Sequence, residues 1–484
     1  MKETQIFDPS DFQNFKQAIL HETSYDPLQN HVLQEILIGS NELNVLIDKL
    51  HEYAPQKSEV LLVMDRTQMW RSGSSLKPLV VAMLEKASYE VNTLFLEGDK
   101  HGIVHADFEQ VDRVKRNFRP DRILIGLGSG VIADICKYAA FLFEQENPGI
   151  EKPMLIMIPT ANSVPAFASS LSIISKDGVK RTRKSRLPNL ILTDVEVLLD
   201  SPHEMTLGGI GDLCAAFISS VEWYIGRYFG AVDDNLAAQL LLDYAKNRMI
   251  ARADDLGQHK PSGAIELAKI LSLGALAMTF VQDSTPMSGY EHGVAHLLDM
   301  SANYFGRPVA SHGSQVAIAG VIVLVAIHDF LDNFDPCQVD INKCFPSFSD
   351  MEKRVLDGFA LFDNSGAMGQ ECWNDYKKKL TIWHNNRDTF QKMLNDWEEV
   401  KATLKMLTVP TDAYISMLQS AEHPLQFPEI GVPEEQAKWA FAHAFMLRKR
   451  LSTTDLMVFT DYITPEWVDR IFERSADLIL QTRN

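Results

Sequence analysis

The stretch DRILIGLGSGVIADICKYAAF, Asp121 to Phe141, decides the fold. An apolar run of Ile and Leu ends in Gly126, Gly128, Ser129 and Gly130, and a helix-length segment begins near Val131. A short buried run closed by glycines and followed by a helix reads as one strand–turn–helix unit of a parallel sheet. Glycines let a backbone approach a diphosphate closely, and the N–H groups at the helix start supply donors. The third glycine of a strict G-x-G-x-x-G would fall at Val131, so these residues alone read equally well as a tight turn.

Working outward, SEVLLVMDRTQMW (58–70), YEVNTLFLEGD (89–99), KPMLIMIPTA (152–161) and PNLILTDVEVL (188–198) are further apolar runs ending in Asp or turn residues. SLKPLVVAMLEKAS and DFEQVDRVKRN between them have helical length. This alternation predicts an α/β domain with a parallel sheet covered by helices. From Ser201 onward nearly every segment has helical period, for example GDLCAAFISSVEWYIGRYFG and GAIELAKILSLGALAMTFV. The expected organisation is an N-terminal helical extension over 1–55, a nucleotide-binding α/β domain over 56–200 and an all-helical domain over 201–484.

The formal charge of −18 argues against a nucleic-acid partner, because phosphate binders concentrate Lys and Arg on one face. The N-terminal residues lack the apolar core of an export signal. The longest apolar run, Gln315 to Leu331, falls short of the ~20 residues that span a bilayer and reads as a buried helix, so no membrane span is expected. Five widely spaced cysteines without a C-x-x-C pair fit reduced thiols in a cytoplasmic protein.

Polar residues gather at the strand ends, where open parallel sheets bind ligands. Asp65 closes its strand, where a carboxylate can take the ribose hydroxyls of NAD and disfavour the 2′-phosphate of NADP; a plain turn residue is the alternative. IPTANSVPAFASS supplies Thr160, Asn162, Ser163 and Ser169 after a buried strand. Farther on, Asp212 follows a glycine pair in GGIGDLCAAF, in what reads as the first turn of a helix, where an N-cap role competes with a functional one. SGYEHGVAHLLDM places His292 and His296 four apart on one helix face, and His312 opens the helix in VASHGSQVAIAG. H-E-x-x-H proteases carry Glu between their histidines, and here that space holds Gly293, Val294 and Ala295. Asp212, His292 and His312 would make a three-ligand site with one open position, the catalytic arrangement; core histidines remain the competing reading.

Taken in order, these stretches resemble the sn-glycerol-1-phosphate dehydrogenase family, bacterial branch. That family lies in the superfamily of iron-containing alcohol dehydrogenases, glycerol dehydrogenase and dehydroquinate synthase. GLGSGVIADICKYAA looks like its G-x-G-S-G-x-x-x-D loop, PTANSVPAFASS like P-T-A-x-S-x-D-G-x-x-S, GIGDL like G-x-G-D-L, SGYEHGVAHLLDM like S-G-S-E-H-x-x-x-H and SHGSQVAIAG like H-G-E-x-V-x-x-G. HPLQFPEIGVPEEQ and RKRLSTTDLM are similar to C-terminal helices of that branch. The resemblance implies an NAD(P)-binding Rossmann-like domain joined to a helical metal domain, the dehydroquinate synthase-like fold. It implies a cytoplasmic homo-oligomer, a dimer, acting on a small polyol or polyol phosphate, with NAD favoured by Asp65. Gly128, Ser129, Gly130, Val131 and Ile132 match the pyrophosphate loop, and Thr160, Ala161, Asn162, Ser163 and Ser169 match the nicotinamide side. Asp212, His292 and His312 match the ligands of one divalent metal, and His296 matches a substrate-contacting residue. Iron enzymes add a histidine where this chain has Ala216, so zinc or nickel is implied over iron.

Departures fall on the substrate side. The family's substrate aspartate is Pro165, followed by Ala166; the usual Arg falls near Thr285; the Glu of H-G-E is Ser314. Residues 332–405 look expanded. Three readings follow: a metal-dependent NAD(P)-linked dehydrogenase, a sugar-phosphate cyclase of the dehydroquinate synthase type with Lys180–Arg186 (KRTRKSR) as its basic cluster, or a degenerate relative that only binds.

Overall fold

The computed structural model describes residues 7–100, 102–176, 179–304 and 308–482. Six strands form one sheet: β1 (Glu35–Gly39), β2 (Glu59–Met64), β3 (Glu90–Phe95), β4 (Arg122–Gly128), β5 (Met154–Pro159) and β6 (Leu190–Asp194). Their order is β1-β6-β5-β4-β2-β3, and every pairing is parallel. Strands β4, β5 and β6 are almost fully buried and mainly apolar, with Arg122 at the start of β4 and Thr193 and Asp194 at the end of β6, as expected of parallel strands covered on both faces. All five strands read from the sequence are present.

Two adjacent strands carry the switch in strand order. From β2 the chain passes outward to β3, then returns across β2 to β4 on its other side. The register sets Val63 against Gly126, so the ends of β2 and β4, with Asp65 and the Gly128–Gly130 turn, are neighbours. Such a switch point is where open α/β sheets bind ligands.

The N-terminal extension corrects a purely helical expectation. Helices Phe12–Thr23 and Leu46–Tyr53 do form, but EILIG at 35–39 is an edge strand paired with β6. Ile36 and Ile38 point inward while their neighbours are only part-buried, a period of two that a helix cannot satisfy.

The chain divides into two compact units. Unit 1 comprises Met1–Lys176, Lys180–Leu213 and Asn235–Ser284; unit 2 comprises Asp177–Val179, Cys214–Asp234 and Thr285–Asn484. Helices Leu236–Ala251 and Pro261–Val281 lie beyond residue 200 and group with the sheet. Hydrogen bonds tie the second of these helices to the segment after β5: Asn162 donates to the Ala264 carbonyl at 2.8 Å, and the Ser170 N–H donates to Thr279 Oγ1 at 2.8 Å. Unit 2 is helical. The expected buried helix runs His312–Asn333, longer than its apolar core; by length and composition it and Pro261–Val281 could cross a membrane, but 94% and 61% of their most apolar windows are buried inside the fold. Both read as core helices. Cys136, Cys214, Cys344 and Cys372 are buried, Cys337 is exposed, and all five are free thiols.

Candidate functional site

In unit 1, β4 runs into the helix Gly130–Glu146, with Ser129 at its N-cap position. A Cβ on Gly128 would lie 2.4 Å from Ile132 Cγ1, and one on Gly130 would lie 2.4 Å from Val164 Cγ2. The glycines therefore let the turn fold tightly onto its own helix and onto the 160–169 segment. The Thr160 N–H donates to the Gly128 carbonyl at 3.2 Å, which joins the two stretches read as cofactor-binding. Gly128 to Ile132 thus present the first turn of a seventeen-residue helix, whose leading N–H groups have no partner within the helix and suit a diphosphate.

Several predicted cofactor residues also have structural duties. Thr160, Ala161, Asn162 and Ser169 are buried, and Ser163 is half-buried. Asn162 is committed to Ala264, and Ser169 Oγ accepts from the Leu171 N–H at 3.1 Å. Asp65 is paired with Lys77, whose Nζ lies 2.8 Å from Oδ1 and also donates to the Asp65 and Thr67 carbonyls. A turn-locking role for Asp65 is therefore real alongside any contact with ribose.

Lys137 was not singled out from the sequence. It is fully buried two turns into the Gly130–Glu146 helix, 3.4 Å from Asp134, and donates to the carbonyls of Ala166, Ser169 and Leu171 at 2.7, 3.0 and 2.6 Å. Asp134 in turn accepts from the Ile173 N–H at 3.1 Å. This pair fixes the loop carrying Pro165. The signal available in the sequence was a charged pair inside an otherwise apolar helix.

Asp212 occupies the last turn of the helix His203–Leu213, not the first turn of a helix as its N-cap reading supposed. Gly208, Gly209 and Gly211 continue that helix, and Gly209 is required there, since a Cβ would stand 2.1 Å from the Asn162 carbonyl oxygen. Asp212 is buried, and two residues beyond it the chain enters unit 2 at Cys214.

In unit 2, His292 and His296 lie in the first half of the helix Tyr290–Tyr304, and His312 is the first residue of the helix capped by Ser311. The three imidazoles converge: ring centroids are 6.0 Å apart for His292–His296, 5.5 Å for His292–His312 and 5.1 Å for His296–His312. Two carboxylates orient them. Glu291 Oε1, on a fully buried side chain, lies 2.9 Å from His292 Nδ1 and accepts from the Gly289 N–H at 2.8 Å. Asp299 Oδ2 lies 3.0 Å from His312 Nδ1, while Gln315 Nε2 donates to Oδ1 at 2.8 Å. A carboxylate on Nδ1 fixes the rotation and tautomer of the ring, which is how ligand histidines are held. His296, Asp299 and His312 can also present ligand atoms within 4.8 Å of one another. Asp299 is better assigned as the orienting group, because both of its oxygens are already engaged. Glu291 and Asp299 stand in the quoted motif, but only the fold shows which nitrogen each one meets.

Near these histidines, Glu222 is fully enclosed and accepts from the N–H and hydroxyl of Thr453 at 2.8 and 2.6 Å. Burial pushes its carboxyl from 4.5 up to about 7. Of the positions that depart from the family pattern, Pro165 and Thr285 are buried, and Ser314 is buried with its N–H on Ser311 Oγ at 3.4 Å. The KRTRKSR cluster is dispersed: Lys180–Lys184 lie in a strand, and Arg186 is buried against Glu144 and the Pro153 carbonyl.

The parallel sheet followed by a mostly helical part is the architecture of the iron-containing alcohol dehydrogenases, and residues 38–202 match that family. The fold is similar to glycerol dehydrogenase from Schizosaccharomyces pombe (TM-score 0.56, 15% identity, 93% of this chain and 92% of that one) and to an iron-containing alcohol dehydrogenase (TM-score 0.53, 13% identity, 91% and 97%). In sequence, the chain is similar to glycerol-1-phosphate dehydrogenases of bacteria and archaea. It is 25% identical to the Bacillus subtilis glycerol-1-phosphate dehydrogenase [NAD(P)+] over 421 residues, covering 86% of this chain and 89% of the relative, and 27% identical to that of Hyperthermus butylicus over 301 residues, covering 61% and 78%. The resemblance read from the five motifs is borne out.

Proposed function

We propose that this protein is a metal-dependent, NAD(P)-linked oxidoreductase acting on a small polyol or polyol phosphate. The observation that carries this reading is the His292, His296 and His312 cluster, with Glu291 and Asp299 on two of its Nδ1 atoms, in a chain alignable over most of its length with NAD(P)+-linked glycerol-1-phosphate dehydrogenases. His292 and His312 would hold one divalent ion together with Asp212, which closes the helix that leads into unit 2. The donor set, two imidazoles and a carboxylate, suits zinc or nickel, and Ala216 leaves no third ligand histidine for iron. Gly128 to Ile132 would cradle the pyrophosphate, with Thr160–Ser163 and Ser169 beside the nicotinamide and Asp65 on the ribose.

When bound, the ion supplies Lewis acidity to a substrate oxygen and the nicotinamide carries the hydride. The chain's own part is to orient and to move a proton. His296, one turn along from His292, would hold a substrate hydroxyl or relay its proton, because imidazole titrates near neutral pH. Pro165 offers neither charge nor an N–H, so recognition of the substrate depends on other groups than the family's aspartate.

The test is a screen of polyols, polyol phosphates and ketone phosphates with NAD(H) and NADP(H) after loading with zinc or nickel. Net NADH formation distinguishes a dehydrogenase from a cyclase, which regenerates its NAD. His292→Ala is expected to lose both the ion and turnover, and full activity in that variant would sink the metal assignment. A wild-type protein that holds no divalent ion favours the degenerate, binding-only alternative.

A further inference from the structure

The segment that reads as expanded, 332–405, is well packed in unit 2, and one of its lysines is among the most deeply enclosed charges in the molecule. Lys379, in the helix Ala367–Asn385, is 1% exposed. Its Nζ lies 2.7 Å from Asp455 Oδ1 and donates to the carbonyls of Phe445 at 2.5 Å and Leu447 at 3.2 Å. Asp455 carries no exposed surface, and its Oδ2 accepts from the Ser452 N–H and hydroxyl at 2.9 and 2.7 Å, capping the helix Thr453–Phe459.

The stretch that Lys379 grips, 441–455, lies directly on the first turn of the His292 helix. Tyr290 stacks on Phe441, with centroids 4.9 Å apart, and donates its hydroxyl proton to the Phe441 carbonyl at 2.9 Å. Ala444 Cβ would meet a Cβ on Gly293 at 3.1 Å, so the two backbones touch at the residue after His292. Arg448 and Arg450 donate to the hydroxyl and carbonyl of Ser288. Thr453 holds Glu222, whose Cγ would meet a Cβ on Gly289 at 2.8 Å. Gly289 is the residue whose N–H shares Glu291 Oε1 with His292. Contacts from this one stretch therefore bracket His292 on both sides.

We infer that Lys379 is a positioning residue for His292: through the Phe445 and Leu447 carbonyls and Asp455 it sets the 441–455 stretch, which sets the turn carrying Glu291 and His292. The energetics favour this over a simple anchor. A buried ion pair contributes little net stability compared with apolar groups of the same volume, because desolvation offsets the attraction. What a buried lysine does well is to hold several acceptors at one point, and two of its three acceptors here are backbone carbonyls of the bracketing stretch. The inference rests on the reading of His292 as a metal ligand.

The test uses the full-length protein and measures zinc affinity by chelator competition, with the melting temperature of the zinc-free form as the fold control. Lys379→Met combined with Asp455→Asn removes the charge pair without leaving an unpaired charge, takes the donor from the Phe445 and Leu447 carbonyls, and keeps an acceptor for Ser452. The expected result is a folded protein with zinc affinity ten- to a hundredfold weaker, the range for loss of a group that orients a ligand. If that protein does not fold, Ala444→Gly opens the contact at Gly293 without touching a buried charge, and the same direction of change is expected. Zinc affinity equal to wild type in either folded variant, even with a lower melting temperature, would make Lys379 a stability residue and overturn the inference. Failure of the metal reading shows differently: wild-type protein and His292→Ala would then bind zinc equally or not at all.

Discussion

His312 Nδ1 and Asp299 Oδ2 face each other at 3.0 Å, and the carboxylate is held from its other oxygen by Gln315. The imidazole is thereby fixed in rotation and tautomer, the arrangement the proposed metal role of His312 requires. Asp299→Ala should leave the fold intact and weaken divalent-ion affinity about 10–100-fold, as loss of an orienting carboxylate does. Equilibrium competition with a chelator measures it, and an unchanged affinity would count against His312 as a ligand.

Lys137 is the internal clamp of the loop that carries Pro165. Lys137→Met would strip three carbonyls and Asp134 of their buried cation. Breaking a buried pair from one side costs about 3–5 kcal/mol. The urea midpoint should fall accordingly, and a shift worth under about 1 kcal/mol would show that the lysine is solvated in solution.

Glu222 predicts a pH effect. Its folded value of about 7 exceeds the ordinary 4.5, so the folded protein holds this proton more tightly than the unfolded chain does. The stabilisation is complete below pH 4.5 and is lost as pH rises through 7, amounting to about 3 kcal/mol across that window. Glu222→Gln should flatten this part of the stability profile, measured by urea denaturation at several pH values. A wild-type stability that does not fall between pH 5 and 8 relative to the variant would refute it.

Gly209 packs its α-carbon against the Asn162 carbonyl, where a methyl group would stand 2.1 Å from the oxygen. Gly209→Ala must displace either the helix carrying Asp212 or the 160–163 segment. Overpacking of this kind costs about 1–3 kcal/mol. Both the melting temperature and the nucleotide affinity should drop, read by differential scanning fluorimetry with and without NAD.

Asp65 and Lys77 form a charge pair at the end of β2. Removing the carboxylate in Asp65→Ser leaves the ammonium available to a 2′-phosphate. The ratio of NADP to NAD affinity should rise about tenfold or more, corresponding to ~1.4 kcal/mol. Titration of each dinucleotide by fluorescence decides it; an unchanged ratio would assign Asp65 to the turn alone.

Much of the fold was legible along the chain because its signals are local. The apolar runs at 59–64, 122–128 and 154–159, each ending in Asp, Gly or Pro–Thr, give strands by composition and length, and the glycine turn needs only its own neighbours. EILIG was missed because a five-residue run between two helical patterns has too little length to show its period, and its partner β6 lies more than a hundred residues away. Asp212 read as the start of a helix because glycines usually interrupt one; here they continue it, since the close approach to Asn162 admits nothing larger.

What the sequence by itself determined was the order of elements, the parallel sheet with its glycine turn, and the histidines from which a metal site can be argued. Periodicity and turn chemistry are properties of neighbouring residues, so they survive without coordinates. Only the tertiary structure decided which groups meet the buried polar atoms: Glu291 and Asp299 on the Nδ1 atoms of His292 and His312, Lys137 on the carbonyls of the Pro165 loop, and Lys379 on Asp455 and the Phe445 carbonyl. The reason is physical. A buried charge is tolerable only where several partners meet it at once, and those partners are brought together by packing and not by their spacing along the chain.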